Sequence, residues 1–204
     1  MASGIVIRDY ISSAATSPLA AFSDLAPWEL TTRSREIVGA MLSGLDSVYR
    51  IAGNIAVHET AIIEPGAVLK DPAVIGPSCF VAAGAYIRDG CWLGEHCTLG
   101  PGTELKSSFL FPGTKLAHFN FVGDSVLGAG VNLEAGSVIA NYRNERDDPA
   151  IIILLVGERI YTGVAKFGAL VGDDVRIGAN AVIAPGALLK AGMTVPRLGL
   201  VDMG

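Results

Sequence analysis

The sequence predicts an all-β solenoid, a parallel β-helix in which short strands wrap around a central prism. Large apolar residues recur at every sixth position, and small residues follow four positions later, from Ala61 to Thr103. A period of six fits neither the 3.6-residue turn of an α-helix nor the two-residue alternation of an ordinary strand. The apolar positions are Val57, Ile63, Leu69, Ile75, Val81, Ile87, Leu93, Leu99, Leu105, Phe111 and Ala117.

The period continues along most of the chain, from residue 51 to residue 204. Leu127, Leu133 and Ile139 keep the step of six after a five-residue stride that follows Ala117. With three six-residue sides, a coil takes about 18 residues, and coils stack at the ~4.8 Å spacing of paired strands. The repeats therefore predict about six or seven coils. Near the C-terminus, apolar residues recur again at a step of six, at Val171, Ile177, Ile183, Leu189 and Val195.

Residues 1–50 lack the period and predict an N-terminal helical segment. In "DLAPWELTTRSREIVGAMLSGL", Asp24 is a possible N-cap and Pro27 suits the first helical turn. One helical face would then be apolar. We expect this segment to pack on the first coil or on a neighbouring subunit. The residues of that face are Leu30, Ile37, Val38 and Met41.

A second segment without the period, at about 143–165, predicts a β-hairpin inserted into the solenoid. "AIIILLV", then Gly157 and Glu158, then "RIYT" form two candidate strands around a two-residue turn. An isolated strand pair this apolar is unfavourable in water. We therefore expect residues 150–163 to pack against an adjacent subunit.

Charge and composition limit the partners of this protein. The net charge of −5 argues against nucleic acid or an anionic membrane as the main partner. The longest aliphatic run, Ala150 to Val156, is far shorter than the ~18 residues that a membrane span needs. Arg8 and Asp9 interrupt the apolar N-terminus, which also lacks the basic start of a signal peptide. We expect a cytoplasmic protein that binds small molecules.

The three cysteines fit the repeat. Cys79, Cys91 and Cys97 all occupy the small-residue position, which predicts small buried hydrophobes. No C-x-x-C spacing is present, so no metal site is predicted. We expect free thiols, as in a reducing compartment.

The residue that follows each core position points outward and stacks with its equivalents on neighbouring coils. Lys70, Arg88 and Lys106 are spaced by 18 and form a basic column, whereas His118 follows Gly100 on another face. Like charges on adjacent strands repel. The column is therefore either a phosphate-binding ladder or a solvated face with counterions.

His118 lies in the stretch "KLAHFNFVGDSVLGAGVNLEAGSVIANY", residues 115–142, where polar residues interrupt the apolar period. This stretch resembles the C-terminal acetyltransferase domain of the bifunctional N-acetylglucosamine-1-phosphate uridylyltransferase/glucosamine-1-phosphate acetyltransferases, within the hexapeptide-repeat acyltransferase superfamily. The resemblance is strong from Lys106 to Tyr142 and resumes from Leu170. It implies left-handed coiling, although the general rule for crossovers favours the opposite hand.

The resemblance also implies a function and a set of site residues. The function is acetyl-CoA-dependent N-acetyl transfer to an amino-sugar phosphate, such as glucosamine-1-phosphate, or to a nucleotide-linked amino sugar, by a homotrimer with sites between subunits. Acetyl-CoA is the acyl donor and no metal is required. His118 would be the general base, a role that suits imidazole. The substrate-binding positions are Arg88, Lys106, Phe121, Asn132, Asn141 and Tyr142, and the CoA-binding positions are Lys166, Ala179 and Ala191.

Two features leave other functions open. Phe121 stands where the family has a tyrosine, which is compatible with a non-catalytic trimeric module that supports or regulates a sugar nucleotidyltransferase. The chain carries no G-x-x-x-x-G-K-S/T loop, so we expect any nucleotidyl transfer to be performed by another chain. A γ-type carbonic anhydrase needs three histidines sharing a metal between subunits, and His58, His96 and His118 lack the spacing H-x-x-x-x-H.

Overall fold

In the computed structural model, which describes residues 4–204, the repeats form three long sheets around a prism. The predicted segment 1–50 begins in residues 1–3, which lie outside the described part. The strands are β1 (Tyr49–Ala52), β2 (Ile55–His58), β3 (Ile62–Ile63), β4 (Val68–Leu69), β5 (Ala73–Ile75), β6 (Phe80–Val81), β7 (Tyr86–Arg88), β8 (Cys91–Leu93), β9 (Thr98–Leu99), β10 (Glu104–Lys106), β11 (Phe109–Leu110), β12 (Lys115–Leu116), β13 (Phe121–Gly123), β14 (Val126–Leu127), β15 (Asn132–Leu133), β16 (Val138–Ile139), β17 (Ile152–Leu155), β18 (Glu158–Tyr161), β19 (Ala169–Val171), β20 (Arg176–Ile177), β21 (Val182–Ile183), β22 (Ala187–Leu189), β23 (Thr194–Val195) and β24 (Leu200–Val201).

Each coil crosses three faces in the same order. We call them the covered face (β1-β2-β5-β8-β11-β14-β19-β22), the polar face (β3-β6-β9-β12-β15-β20-β23) and the mixed face (β4-β7-β10-β13-β16-β21-β24). The first corner joins the covered and polar faces, the second joins the polar and mixed faces, and the third returns to the covered face. Apart from β1 and β2, neighbouring strands on the faces are parallel. The predicted left-handed parallel β-helix is confirmed.

The prism interior is filled by the predicted large apolar and small residues, with one correction of register. Phe111 and Ala117 are not core positions, because Leu110 pairs with Leu93 and Leu116 pairs with Leu99. The inward sequence runs through Leu105, Leu110, Leu116, Val122 and Leu127, all fully buried. Two five-residue steps, from Leu105 to Leu110 and from Val122 to Leu127, therefore shorten the coils in this region. The cysteines lie buried in the same interior as free thiols.

The corrected register places two residues, Phe111 and His118, differently from what the period of six predicted. Phe111 points away from the prism and packs edge-to-face on Trp92, with ring centroids 5.4 Å apart. His118 comes two residues after the inward Leu116 and lies in the second corner, exposed, between β12 and β13. The outward residue that follows Gly100 on the polar face is Ala117 instead.

The N-terminal segment forms a second core on the covered face. Its helices are α1 (Pro27–Thr32) and α2 (Ser34–Met41), with short 3₁₀ turns at Ile7–Asp9, Ala14–Thr16, Ala20–Phe22 and Leu42–Gly44. The predicted cap Asp24 is wrong, because Ala26 is the N-cap and its amide donates to the Glu29 carboxylate at 2.8 Å. Buried residues of the segment pack with outward residues of the covered face, which extends the contact beyond the first coil. These include Trp28, Leu30, Ile37 and Val38 with Val74, Trp92, Phe109 and Val126.

The inserted hairpin, β17 with β18, leaves the solenoid at the third corner. Val156 and Gly157, both with positive φ, form its turn, one residue earlier than predicted. Ile151 and Ile153 are fully buried in the second core of the same chain. The chain thus covers one side of the hairpin itself, while Leu154, Val156 and Tyr161 stay exposed, and packing of this segment against an adjacent subunit stays a prediction.

The C-terminal residues hold the hairpin in place. The Leu154 amide donates to the Met203 carbonyl at 2.6 Å. The Arg143 guanidinium, only 2% exposed, binds both Asp202 oxygens and donates to the Pro185 carbonyl at 2.8 Å. The last coil, the hairpin and the C-terminus are thus joined at one buried cation.

Helices are few and short throughout the described chain. No helix between residues 4 and 204 has both the length and the apolar character that crossing a bilayer requires.

Candidate active site

Short polar residues stack along the third corner. Asp89, Ser107 and Asp124 occupy equivalent corner positions on successive coils, with φ of 62°, 46° and 45°. Asn141 continues this column on the next coil. Aspartate and asparagine tolerate positive φ better than most residues, which suits a tight corner. The corner thereby presents a line of hydrogen-bonding groups beside the basic column.

Lys106 is neutralised within the protein. Its Nζ lies 2.9 Å from Oδ2 and 3.1 Å from Oδ1 of Asp124, and 3.3 Å from Oγ of Ser107. The side chains of Lys106 and Asp124 are only 13% and 8% exposed. Asn141 Nδ2 also donates to the Asp124 carboxylate. These residues therefore form one connected, largely buried cluster.

Arg88 also has carboxylate partners. It binds Glu104 at 2.8 Å and Asp89 at 2.7 Å. Burial opposes its charge, but hydrogen bonds with Glu104 and Asp89 outweigh that effect and raise the Arg88 pKa. Arg88 and Lys106 are thus balanced by carboxylates of the same chain, which neither interpretation of the basic column included. One sequence signal could have revealed this, because Asp71 and Asp89 directly follow Lys70 and Arg88 at the same spacing of 18.

A cleft of about 610 Å³ lies between the N-terminal segment and the third corner. It brings Lys106 together with Lys166, which comes directly after the hairpin. Arg88 does not line this cleft, because its guanidinium is engaged by Glu104 and Asp89. Sequence reasoning missed the contribution of the N-terminal segment. The lining residues are Thr31, Thr32, Ser34, Arg35, Asp89, Lys106, Ser107, Asp124, Val164, Ala165 and Lys166.

Phe121 and Asn141 converge over Gly123. A Cβ on Gly123 would lie 2.7 Å from Asn141 Nδ2 and 2.9 Å from Phe121 Cζ, so the glycine makes room for both side chains. Phe121 points outward from the mixed face, between Glu104 and Val138. Tyr142 follows Asn141 and is 41% exposed. Five predicted substrate-binding residues are therefore on or beside the mixed face: Arg88, Lys106, Phe121, Asn141 and Tyr142.

His118 and Ala179 stack in the second corner. The Gly136 amide donates to the His118 carbonyl at 2.9 Å, and the Asn180 amide donates to the Ala135 carbonyl at 3.0 Å. The ring of His118 makes no hydrogen bond within residues 4–204. His118, Ala135 and Ala179 therefore occupy one column, which continues with Arg197 on the next coil.

The remaining predicted residues lie elsewhere. Asn132 is on the polar face, paired with Lys115 and Arg176, and lines a separate groove of about 400 Å³. Glu134 in this groove binds Arg197 at 2.8 Å, and that hydrogen bond lowers the Glu134 pKa. Ala191 lies in the first corner, against Gly172.

The two ends of the candidate site are separated by the width of the mixed face. Five residues lead from His118 to Gly123, which pairs with Lys106, and such a stretch spans at most about 17 Å. His118 lies at the second corner and the Lys106 cluster at the third. Within one chain, the predicted base and the predicted phosphate-binding lysine therefore lie at opposite corners of the mixed face.

The fold defines a class of protein, the hexapeptide-repeat solenoids. Residues 72–107 match the family described as bacterial transferase hexapeptide (six repeats). The solved structure of a hexapeptide transferase family protein from Anaplasma phagocytophilum superimposes with a TM-score of 0.54 at 16% identity, over 72% of this chain and 78% of that one. Similarity at this level concerns the fold.

Sequence relatives are more specific. The chain is 36% identical over 182 residues to the bifunctional protein GlmU of Methanococcus maripaludis strain C7, covering 86% of this chain and 43% of that protein. It is 34% identical over 150 residues to a bifunctional sugar-1-phosphate nucleotidylyltransferase/acetyltransferase of Sulfurisphaera tokodaii, covering 74% and 37%. The chain thus spans about two fifths of the length of these relatives. The resemblance predicted from residues 115–142 is confirmed.

The histidines occupy two corners. His58 and His96 lie at the first corner and His118 at the second, and His58 Nδ1 is 2.8 Å from the Thr60 hydroxyl. Across the described range, 4–204, no three His, Cys, Asp or Glu side chains are grouped closely enough to hold a metal ion.

Proposed function

We propose that this protein is an acetyl-CoA-dependent N-acetyltransferase acting on an amino-sugar phosphate similar to glucosamine-1-phosphate, or on a nucleotide-linked amino sugar. The observation that carries the proposal is the convergence of Lys106, Asn141 and Lys166 at the third corner. These residues come from separate coils and from the end of the hairpin. The relative named as a bifunctional sugar-1-phosphate nucleotidylyltransferase/acetyltransferase supports acetyl transfer in sugar metabolism.

The proposed chemistry needs one proton acceptor. The acceptor amine attacks the thioester carbonyl, a C–N bond forms, the C–S bond breaks, and the CoA thiolate leaves. His118 accepts the amine proton and later returns a proton to the thiolate, as a general acid–base catalyst does. The small side chains of Ala135 and Ala179 leave space along the second corner for the pantetheine arm to reach His118.

The separation between His118 and Lys106 favours a site shared between copies of this chain. For an acceptor held at the third corner, the base would then come from a second copy, whose second corner lies beside it. The mixed face also carries an outward column that is apolar except for Glu104, which offers a surface for that copy: Val68, Tyr86, Glu104, Phe121, Val138, Val182 and Leu200. We propose the homotrimer on this basis, with Asn132 and Ala191 reaching the site from a neighbouring copy.

A thiol-release assay tests the proposal directly. Acetyl-CoA would be offered with a panel of amino-sugar 1-phosphates, the corresponding unphosphorylated sugars, and nucleotide-linked amino sugars. We expect release of CoA with at least one phosphorylated acceptor and little with the free sugars. The variant Phe121→Tyr, which restores the hydroxyl present in the family, should lower the acceptor KM. Absence of thiol release with every acceptor would contradict the proposal.

One observation favours a second function, a non-catalytic module that supports a sugar nucleotidyltransferase. The Phe121 ring offers no hydroxyl to an acceptor, and Lys106 is already paired with Asp124. Such a module would bind neither acetyl-CoA nor an acceptor, and equilibrium dialysis with acetyl-CoA separates the two functions.

A further inference from the structure

The N-terminal helices approach the third corner unusually closely. Ser34 Oγ donates to the Asp89 carbonyl at 3.1 Å, and Ser107 Oγ donates to the same carbonyl at 3.0 Å. Gly90 makes this approach possible, because a Cβ there would lie 2.6 Å from the Arg35 amide nitrogen. Its φ of +90° also favours glycine. The start of α2 is therefore a fixed wall of the cleft.

Arg35 lies on this wall and lines the cleft with Lys106 and Lys166. Its side chain is 61% exposed, and its ion pair is with Asp89 at 3.3 Å. Arg88 holds the other oxygen of the same carboxylate more tightly, at 2.7 Å. A guanidinium carries five N–H donors, so most donors of Arg35 are available to a bound molecule.

The charges around the cleft are not balanced on its open side. Lys106 is ion-paired with Asp124, and Arg88 is ion-paired with Glu104 and Asp89. Lys166 is exposed and makes no ion pair within residues 4–204. Arg35 and Lys166 are thus the accessible cations of the cleft, and they come from two different segments, the start of α2 and the stretch after the hairpin. This local excess of positive charge occurs on a chain with a net charge of −5.

We propose that Arg35 is a substrate-binding residue that selects an acceptor carrying a phosphate monoester. Arg35 and Lys166 bind the phosphate, so Lys166 contacts the acceptor and not, as the resemblance implied, CoA. Lys106 orders the Asp124 and Asn141 side chains beside it. A planar guanidinium suits paired phosphate oxygens, and a lysine adds a compact point charge. This inference rests on the proposed function, and it gives the N-terminal segment a role in acceptor choice.

The test compares Arg35→Ala with Arg33→Ala. Arg33 is a matched control because it is paired with Glu36 and does not line the cleft. Calorimetric titration with glucosamine-1-phosphate and with inorganic phosphate measures binding without any turnover. We expect Arg35→Ala to weaken glucosamine-1-phosphate binding about tenfold or more, the usual effect of losing a hydrogen bond to a charged group. Arg33→Ala should bind as wild type does.

Kinetics provide the second measurement. Arg35→Ala should raise the acceptor KM while leaving the acetyl-CoA KM and the kcat at saturating acceptor unchanged, the pattern of lost acceptor binding. Arg35→Lys should retain part of the affinity. Thermal unfolding should change little, since an exposed ion pair contributes little to stability.

The outcomes separate the two proposals. If wild type binds glucosamine-1-phosphate but transfers no acetyl group, and Arg35→Ala loses the binding, the phosphate site stands and the proposed function fails. If Arg35→Ala binds as tightly as wild type, or if wild type binds neither phosphate compound, the Arg35 inference is wrong whatever the transferase assay gives.

Discussion

The Lys106 ammonium lies 2.9 Å from the Asp124 carboxylate, and both side chains are almost completely buried. Removing one partner of a buried pair leaves an uncompensated charge, which typically costs about 3–5 kcal/mol. Lys106→Met should therefore lower the free energy of unfolding by roughly that amount. Chemical denaturation, followed by far-UV circular dichroism, measures the change.

The double variant Lys106→Met/Asp124→Asn is the control for this prediction. Because it removes both charges, most of the lost stability should return. Equal instability of the single and double variants would show that the ion pair is not the cause.

The role of His118 predicts a selective loss of activity. His118→Ala should lower kcat by about 10² to 10⁴, the usual contribution of a general base. Because the side chain is exposed and makes no hydrogen bond within residues 4–204, the melting temperature should stay close to that of wild type. Thiol release and a thermal melt check both parts. A fully active, folded variant would remove His118 from the mechanism.

Gly100 controls the backbone just before His118. A Cβ on Gly100 would overlap the carbonyl oxygen of Ala117, so Gly100→Ala must displace the chain entering the second corner. Overpacking of this kind costs about 1–3 kcal/mol. We expect lower stability together with lower kcat, measured by denaturation and thiol release.

Gly39→Ala is the matched control. No atom lies within 4 Å of a Cβ at Gly39, inside α2. There the substitution should stabilise the protein by about 0.5–1 kcal/mol through helix propensity. If Gly100→Ala instead kept the wild-type free energy of unfolding, the prediction would be wrong, because the neighbouring coil would have moved away from the added methyl group without loss of stability.

The Arg143–Asp202 pair predicts a pH-dependent stability. The hydrogen bond from Arg143 lowers the Asp202 pKa below its ordinary value. A carboxyl group with a depressed pKa stabilises the fold above its unfolded pKa of about 3.9, and this contribution is lost as the pH falls through the folded value. Asp202→Asn should therefore lower the melting temperature at pH 7.

In acid, the difference between wild type and Asp202→Asn should shrink, because both then lack the negative charge. Melting curves between pH 7 and the acid limit of folding measure this convergence. A difference that stays constant with pH would exclude ionisation of Asp202 as its source.

The sequence by itself determined the solenoid, its approximate number of coils, the burial of the cysteines and the alignment of Arg88 with Lys106. All of these depend on a local period, because a residue's distance from the previous apolar residue decides whether it points inward or outward. The motif around His118 similarly indicated the superfamily. These properties need no information about which distant residues meet.

Only the tertiary structure decided the register near residue 110 and the composition of the cleft. Leu110 and Phe111 are adjacent and both apolar, so the period could not choose between them. Pairing of Leu110 with Leu93 selects one for the prism and leaves the other for the second core. Likewise, Arg35 and Asp124 reach the cleft through contacts between segments far apart in the chain, and no local spacing encodes such contacts.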